Sequence, residues 1–327
     1  MKYVEVKNIS GFIPDVKLLK KSQYKNIDIP VTGDAPKDIV QAYFYKKGEL
    51  RKSRRNIYIA KVGHKHYPIE SITEHLLNQV GLYFGIEMAE SELAAIPYTS
   101  STQIRFFSKY FLKEGELLIH GADIYAAYYN DDNIINMIEA QKMEKDLITV
   151  QEAQKAIQYS FPNNPEILKA YGKLLLFDAL IGNNDRHFYN WGCIKSISKE
   201  TVRFSPIYDT ARGLFWNESD EKIKDWLKNE KVMNVHLNKY INYSQPKIGW
   251  DNQQNINHFD LVRLLFNTEL LLTKVEIRTF FNENSFKKAL CMVNNSQFTS
   301  LMIEERHKII QECLTLRFQK LREITDD

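Results

Sequence analysis

The sequence predicts an α+β fold in two lobes, a small β-rich N-terminal lobe over residues 1–112 and a larger helical lobe over residues 113–327. Three observations carry this expectation. Short apolar runs of strand character crowd residues 26–63, a helical pattern that is apolar almost all round ends near residue 181, and amphipathic helical stretches fill the rest. A chain of 327 residues is long enough for two modest lobes, each with apolar residues to bury.

The elements follow in order. "NIDIPV" (26–31) is a short strand, and the Gly/Pro loop "VTGDAPKD" separates it from a second strand, "DIVQAYFYK" (38–46), rich in β-branched and aromatic residues. A basic turn then gathers Lys46, Lys47, Arg51, Lys52, Arg54 and Arg55, a pattern typical of a solvated hairpin tip. "NIYIAKVG" (56–63) alternates as a half-buried strand does. In "IESITEHLLNQVGLYFG" (69–85) the apolar residues fall at 69, 72, 76, 77, 80 and 83, which is helical spacing. Strand character returns in "ELAAIPYTSSTQIRFFSKYFL" (92–112), with a turn near Tyr98–Thr102. From about residue 113 the pattern reads as helical. Asn164 is the expected N-cap and Pro165 the first residue of a helix whose last two turns are apolar nearly all round, so it is buried. "WGCIK" and "TVRFS" flank "SISKE" as a hairpin, and helical patterns follow in "SDEKIKDWLKNEKV", "NHFDLVRLLFNTELLL" and "SLMIEERHKIIQECLTLRFQKLREI".

Composition narrows the classes of function. A net charge of only +3 gives no global drive toward nucleic acid or membrane, so direct nucleic-acid binding and membrane association are not expected. Cys193, Cys291 and Cys313 are odd in number and widely spaced, which argues against a disulfide framework or a zinc site. The N-terminus has no apolar signal core and no run approaches about 20 apolar residues, so a cytoplasmic protein is expected.

The residues that suggest chemistry lie in "LIGNNDRHFYNWG" (180–192) and "SPIYDTARG" (205–213). Asp185, Asn190 five positions on, and Asp209 just past a hairpin form a set that phosphoryl-transfer enzymes of the kinase type use. The first aspartate accepts or orients the proton of an attacking hydroxyl. The asparagine and the second aspartate offer hard oxygens to Mg²⁺, with nucleotide phosphates as the remaining ligands. Taken singly, Asp185 is a turn cap and Asn190 a left-handed turn residue. The combination in a helix–loop–hairpin–loop context favours the chemical reading. His187 is expected to brace the loop through hydrogen bonds. Lys61, late in a strand, suits the α/β-phosphates, and Glu74 on the next helix is its natural ion-pair partner. Gly33, in the loop from Thr32 to Lys37, would let backbone N–H groups approach phosphates.

These pieces resemble the HipA-like kinases, bacterial Ser/Thr protein kinases often found as toxins. "LLLFDALIGNNDRHFYNWG" with "FSPIYD" is similar to that family's catalytic loop and metal-binding aspartate, "GDAPK" (33–37) to its phosphate loop, and "IAKVG" with Glu74 to its lysine–glutamate pair. "IHGADI" (119–124) is a looser match to a His-containing segment after the hinge. The resemblance implies a bilobal protein-kinase-like fold, with ATP and Mg²⁺ as cofactors and a protein Ser/Thr acceptor. It implies Asp185 as base, with Lys61 and Glu74 completing the catalytic set, and Asn190 and Asp209 as metal ligands. Thr32, Gly33, Lys37, Lys61, Lys109, Tyr110, Leu112 and His187 would lie around the nucleotide, and a separately encoded antitoxin is an implied partner. A small-molecule phosphotransferase and a nucleotide-binding pseudokinase are the rival readings; the intact set of five residues argues against the second. Two departures stand out. Only about 30 residues precede the phosphate loop, so a core-only member is expected. The segment before Gly33 reads "DIPVTG", with Thr32 its only hydroxyl, where members of the family often autophosphorylate a serine.

Overall fold

Strand alternation decides which face of the first sheet each residue meets. The computed structural model describes residues 16–27, 37–44, 55–63, 66–98, 101–141, 143–253 and 255–326. Its first sheet comprises β1 (Lys17–Leu18), β2 (Tyr24–Ile27), β3 (Lys37–Ala42), β4 (Asn56–Lys61), β5 (Ser91–Tyr98) and β6 (Ser101–Lys109), in the order β1-β5-β6-β4-β3-β2. All pairings are antiparallel except β1 with β5. Tyr58 and Ala60 join Val40, Ala42, Phe44 and Phe107 in a small core on one face. Phe106 and Leu93 point the other way and join the main core with Ile72 and Leu76. Because side chains alternate along a strand, Lys61 follows Ala60 onto the second face, where its ammonium lies 5.8 Å from the Phe106 ring centroid.

Helix α1 (Ile69–Tyr83) lies on that second face against β5, β6 and a later helix, α11 (Glu283–Val293). Contact on two sides explains a departure from simple amphipathicity. The apolar positions 69, 72, 76, 77 and 80 are buried as expected, but so are Glu70, Ser71, Thr73, Glu74, His75 and Asn78. Buried polar side chains need partners, and two of them find partners on β5 or just before it: His75 Nδ1 lies 2.9 Å from Ser91 Oγ, and Asn78 Nδ2 donates to Ala89 O at 3.1 Å.

A second sheet corrects the reading of residues beyond 113 as helical. β7 (Glu116–His120), β8 (Gly192–Ser196) and β9 (Val202–Phe204) form an antiparallel sheet in the order β7-β8-β9. Five residues of "ELLIH" carry too little periodicity to announce a strand, and pairing with β8 decides it. Helix α2 (Gly121–Tyr129) follows directly, and a Cβ on Gly121 would sit 2.4 Å from the Trp191 ring, so the backbone approaches the loop before β8 closely.

The remaining helices are α3 (Ile134–Gln141), α4 (Glu144–Leu147), α5 (Val150–Ser160), α6 (Pro165–Ile181), α7 (Asp220–Leu227), α8 (Glu230–Tyr243), α9 (His258–Thr268), α10 (Lys274–Phe280), α12 (Ser296–Thr299) and α13 (Glu304–Asp326). Residues 167 to 181 of α6 are largely buried, as its apolar last turns require. Asn164 stands at its N-cap without a side-chain capping bond, since its Nδ2 donates instead to Val202 O on β9 at 2.8 Å. The stretch 219–232 divides into α7 and α8 because Asn229 caps α8 by accepting from Lys231 N–H. Strand β2 begins earlier than read and β3 ends at Ala42; residues 28–31 and 45–46 of those two expected strands lie outside the described residues. Among the described residues no helix is long and apolar enough to cross a membrane.

His75 gives the fold a pH dependence. Burial pushes its imidazole down from 6.5 to about 4. The unfolded chain therefore binds a proton that the folded chain refuses between those values. This contribution to stability is fully present above pH 6.5 and is lost as pH falls toward 4, by at most about 3 kcal/mol. Urea unfolding midpoints across this window should fall with acidification, and a folded His75→Gln variant should show a shallower slope there.

Candidate functional site

The site begins where α6 stops. Gly182 takes a left-handed conformation at φ 66°, and the chain turns out of the apolar helix into a polar loop. The loop is wound around a buried ion pair. Asp178, in the last turn of α6, receives Arg186 Nε on Oδ2 at 2.9 Å and Nη2 on Oδ1 at 3.1 Å, and both side chains are at most 3% exposed. Arg186 Nη1 also donates to Asn190 O at 2.8 Å and Tyr208 O at 2.7 Å. One guanidinium thus ties the helix, the loop and the residue preceding Asp209. Asn183 completes the frame, donating to Asp178 Oδ1 at 2.8 Å and accepting Asp185 N–H at 3.1 Å.

Within this frame Asn190 Nδ2 donates to Asp185 O at 2.9 Å, which leaves its amide oxygen as the end available to a ligand. His187 Nδ1 accepts Tyr189 N–H at 3.2 Å, the bracing role expected of it. Asp185 is about a third exposed, and its Oδ2 lies 3.5 Å from Arg212 Nε. Burial raises its carboxyl pKa, against the opposing charges of His187, Arg212 and Lys247. Arg212 is held in turn by stacking over Trp216, 3.9 Å from the ring centroid.

Lys61 joins the two halves of the site. Its Nζ lies 2.9 Å from Glu74 Oε1 on α1 and 2.9 Å from Asp209 Oδ1, so one cation serves two carboxylates. The consequences differ. Burial, reinforced by the Asp209 charge, raises Glu74 to about 7 in spite of Lys61. Desolvation also opposes ionisation of Asp209, but the charge and hydrogen bond of Lys61 outweigh it and hold the carboxyl at about 2. Lys61 loses stability as a cation through burial and regains more from Asp209 and Glu74, so its pKa is raised. The Asp209 side chain is 41% exposed and its backbone is left-handed at φ 58°, unusual for a residue other than glycine, asparagine or aspartate.

The other expected positions divide. Lys37 stands opposite Lys61 in the β3–β4 register, and its charge lowers the pKa values of Glu74 and Asp209. Thr32 and Gly33 lie outside the described residues, as do residues 46–54 of the basic turn. Lys109 pairs with Glu90 at the surface at 2.8 Å. The N–H groups of Lys109 and Tyr110 are already donated to Glu90 O and Ile57 O, at 2.8 Å each. With Leu112 they line a cavity of about 520 Å³ whose other walls include Met88, Arg203 and Pro206, and neither Lys61 nor Asp209. His120 Nδ1 meets the Tyr208 hydroxyl at 3.2 Å.

Sequence reasoning passed over Asp178, Arg186, Arg212, Asn78 and Thr210. For Asp178 a signal was present, since an acidic residue inside "LLLFDALIG" has to find a buried partner. Besides Asp185, the groups that could offer oxygens to a cation are the Asp209 carboxylate and the Asn190 amide. Among the described residues no cluster of three or more His, Cys, Asp or Glu side chains is built to hold a metal alone. Asp209 and Asn190 therefore fit a hard cation that brings other oxygen ligands with it, as Mg²⁺ on a nucleotide does.

Comparison with known proteins gives the family and the fold. Residues 29–264 match the HipA-like C-terminal domain. The chain is 26% identical over 178 residues to the serine/threonine-protein kinase CtkA of Helicobacter pylori (strain J99), a match spanning 54% of this chain and 53% of that protein, about half its length. The crystal structure of the Helicobacter pylori proinflammatory kinase CtkA superposes with a TM-score of 0.68 at 20% identity, covering 92% of this chain and 94% of that one, which shows the shared α+β fold.

The buried ion pair generates a test. Asp178→Ala leaves Arg186 charged, buried and without its carboxylate, which costs about 3–5 kcal/mol. Urea denaturation should show that loss, while a surface control such as Asp225→Ala, whose pair with Lys228 is exposed, should change stability by less than about 1 kcal/mol.

Proposed function

Because the chain belongs to the family of HipA-like C-terminal domains, we propose that it is an ATP- and Mg²⁺-dependent protein kinase with a Ser/Thr acceptor, built as a nucleotide-clamping lobe (1–112) and a helical lobe (113–327). The observation that supports this most is Lys61, bonded at once to Glu74 and to Asp209. A phosphate-binding lysine needs a carboxylate to fix its long side chain and a metal aspartate beside it, and here both stand within 2.9 Å.

Bound Mg·ATP supplies the transferable phosphoryl group and a compensating metal charge. The chain supplies position. Glu74 holds the Lys61 ammonium at 2.9 Å, from where it would meet phosphate oxygens as a point charge. Asp209, kept anionic at neutral pH by Lys61, and the amide oxygen of Asn190 would hold the metal. Asp185 receives the acceptor hydroxyl, orients it and takes its proton; burial lifts its basicity and Arg212 restrains its carboxylate. The family reading also makes a toxin with a separately encoded antitoxin the setting of this activity. Growth arrest on expression that Asp185→Asn abolishes would support that role, and growth unaffected by the active protein would oppose it.

Incubation of the full chain with γ-labelled ATP, Mg²⁺ and a cell lysate tests the activity. Label is expected in a protein band. Label confined to small molecules would replace the protein kinase with a small-molecule phosphotransferase, and no transfer at all would leave a nucleotide-binding module.

The two aspartates have different assignments and should fail differently. Asp209→Asn should lose Mg²⁺-dependent affinity for a non-hydrolysable ATP analogue and turnover together. Asp185→Asn should lose about 10²-fold or more in turnover while that affinity stays near wild type. Calorimetric titration with and without Mg²⁺ measures both, and the opposite pattern would mean that the roles are swapped.

Lys61→Ala should weaken nucleotide binding and cut turnover more than Glu74→Ala, because Glu74 acts through the placement of Lys61. A Glu74 variant much more damaging than the Lys61 variant in the same titrations would show the pair to be wrongly assigned.

A further inference from the structure

Glu74 and Asp209 are joined through Lys61, and one step further in, a second connection runs parallel to the first. Asn78 lies one helical turn beyond Glu74 on α1, and Thr210 is the residue after Asp209. Both are shut away from solvent, Asn78 at 2% exposure and Thr210 at 0%. Thr210 Oγ1 lies 2.9 Å from Asn78 Oδ1 and, at a longer 3.5 Å, from Glu74 O. Asn78 is itself fixed, since its Nδ2 donates to Ala89 O at 3.1 Å. Ala89 N–H donates to Ile207 O at 2.9 Å, and Ile207 N–H to Glu87 O at 2.7 Å. The circuit closes: α1, the chain entering β5, and the segment 207–210 are bonded to one another in a ring just behind the carboxylates.

The position of this ring gives it a consequence beyond packing. Asp209 is held in a left-handed conformation open to few residues besides glycine, asparagine and aspartate, and a bonded neighbour fixes the chain on its far side. Thr210 is that neighbour. Its hydroxyl has one proton, and Asn78 Oδ1 is the near acceptor for it. An isosteric side chain lacking the hydroxyl would leave the buried Oδ1 without its donor, so the contact specifies one register between α1 and the Asp209 segment.

We propose that Asn78 and Thr210 are positioning residues for Asp209, their buried hydrogen bond fixing α1 against residues 207–210 so that Glu74 and Asp209 both present their carboxylates to Lys61. The inference rests on the kinase reading for what Asp209 then does. Both side chains are buried. Both act through the direction of the Asp209 carboxylate, and the requirement for Mg²⁺ is the property they should set.

Full-length wild type, Thr210→Val, Thr210→Ser, Asn78→Ala and the Thr210→Val/Asn78→Ala double variant are compared by titration with a non-hydrolysable ATP analogue, with and without Mg²⁺, and by kcat over a range of Mg²⁺ concentrations. Thr210→Val should weaken the Mg²⁺-dependent affinity and raise the Mg²⁺ needed for half-maximal turnover, each by about 10-fold, the scale of one buried hydrogen bond. Its affinity without Mg²⁺ should change little. Thr210→Ser, which keeps the hydroxyl, should restore wild-type values, and the double variant should be no worse than the more damaging single one. A folded Thr210→Val protein with the wild-type Mg²⁺ requirement would overturn the proposal, as would equal losses with and without the metal. If Thr210→Val does not fold, Thr210→Ala is read by the same criteria. Wild-type protein that neither binds nucleotide in a Mg²⁺-dependent way nor transfers phosphate would instead remove the kinase reading, and this inference with it.

Discussion

The buried pair of Asp178 and Arg186 is the constraint on which the rest of the site depends. Taking two charges out of water is costly, and such a pair adds little net stability compared with apolar residues of the same size. What it provides here is geometry. A guanidinium offers five N–H donors in a rigid plane, and Arg186 directs them to Asp178 twice, to Asn190 O and to Tyr208 O. No apolar side chain could hold two carbonyl groups from segments 18 residues apart in fixed relation to the end of a helix. Asn190 and Asp209 are therefore oriented from one centre.

The second constraint is electrostatic. Lys61 is one positive charge shared by two carboxylates. The asymmetry in pKa follows from surroundings. Glu74 is enclosed on a helix packed on two sides and burial pushes it up to about 7, whereas at Asp209 desolvation is outweighed by Lys61, with Arg186 and Lys37 adding to it, and the carboxyl stays ionised with a pKa of about 2. A divalent cation on the Asp209 side would add positive charge near Glu74 and favour its ionised form, so the metal and the lysine–glutamate pair should reinforce each other. The helical part supports this from behind. Arg317, fully buried on α13, donates to Ala179 O near the end of α6, and Arg306 donates to Phe215 O and Glu218 O in the chain beyond Asp209. Arg317 supplies two donors to Ala179 O, and Arg306 supplies one to Glu218 O and a second to Phe215 O, which also accepts Glu218 N–H at 3.1 Å.

Much of this was legible in the sequence. Strands β3 to β6, helix α1, the buried α6 and the β8–β9 hairpin each carry a pattern of the right period and length, and their edges shift by only a few residues. The family resemblance, read from the catalytic loop and the "FSPIYD" segment, agrees with the matched HipA-like domain over residues 29–264. Lys61 and Glu74, expected to pair from their order on the chain alone, are in contact at 2.9 Å. Strand β7 was not legible, because it is five residues long and owes its conformation to β8. Nor was the burial of the polar face of α1, since a helix covered on two sides keeps the apolar spacing of one covered on a single side.

The sequence by itself determined which chemical groups are present and in what order. An acidic residue in an apolar helix, an aspartate and asparagine five apart, and a lysine at a strand end are local facts, fixed by residue type and by the periods of helix and strand. The tertiary structure alone decided which of these groups meet. Lys61 and Asp209 are 148 positions apart and Asn78 and Thr210 are 132 apart, and no window of sequence encodes their contact. It arises because α1 packs against the sheet and the segment 207–210 in a register that brings Glu74 and Asp209 to Lys61 and Thr210 Oγ1 to Asn78 Oδ1. Unpaired polar groups in a low-dielectric interior are costly enough to exclude the neighbouring registers.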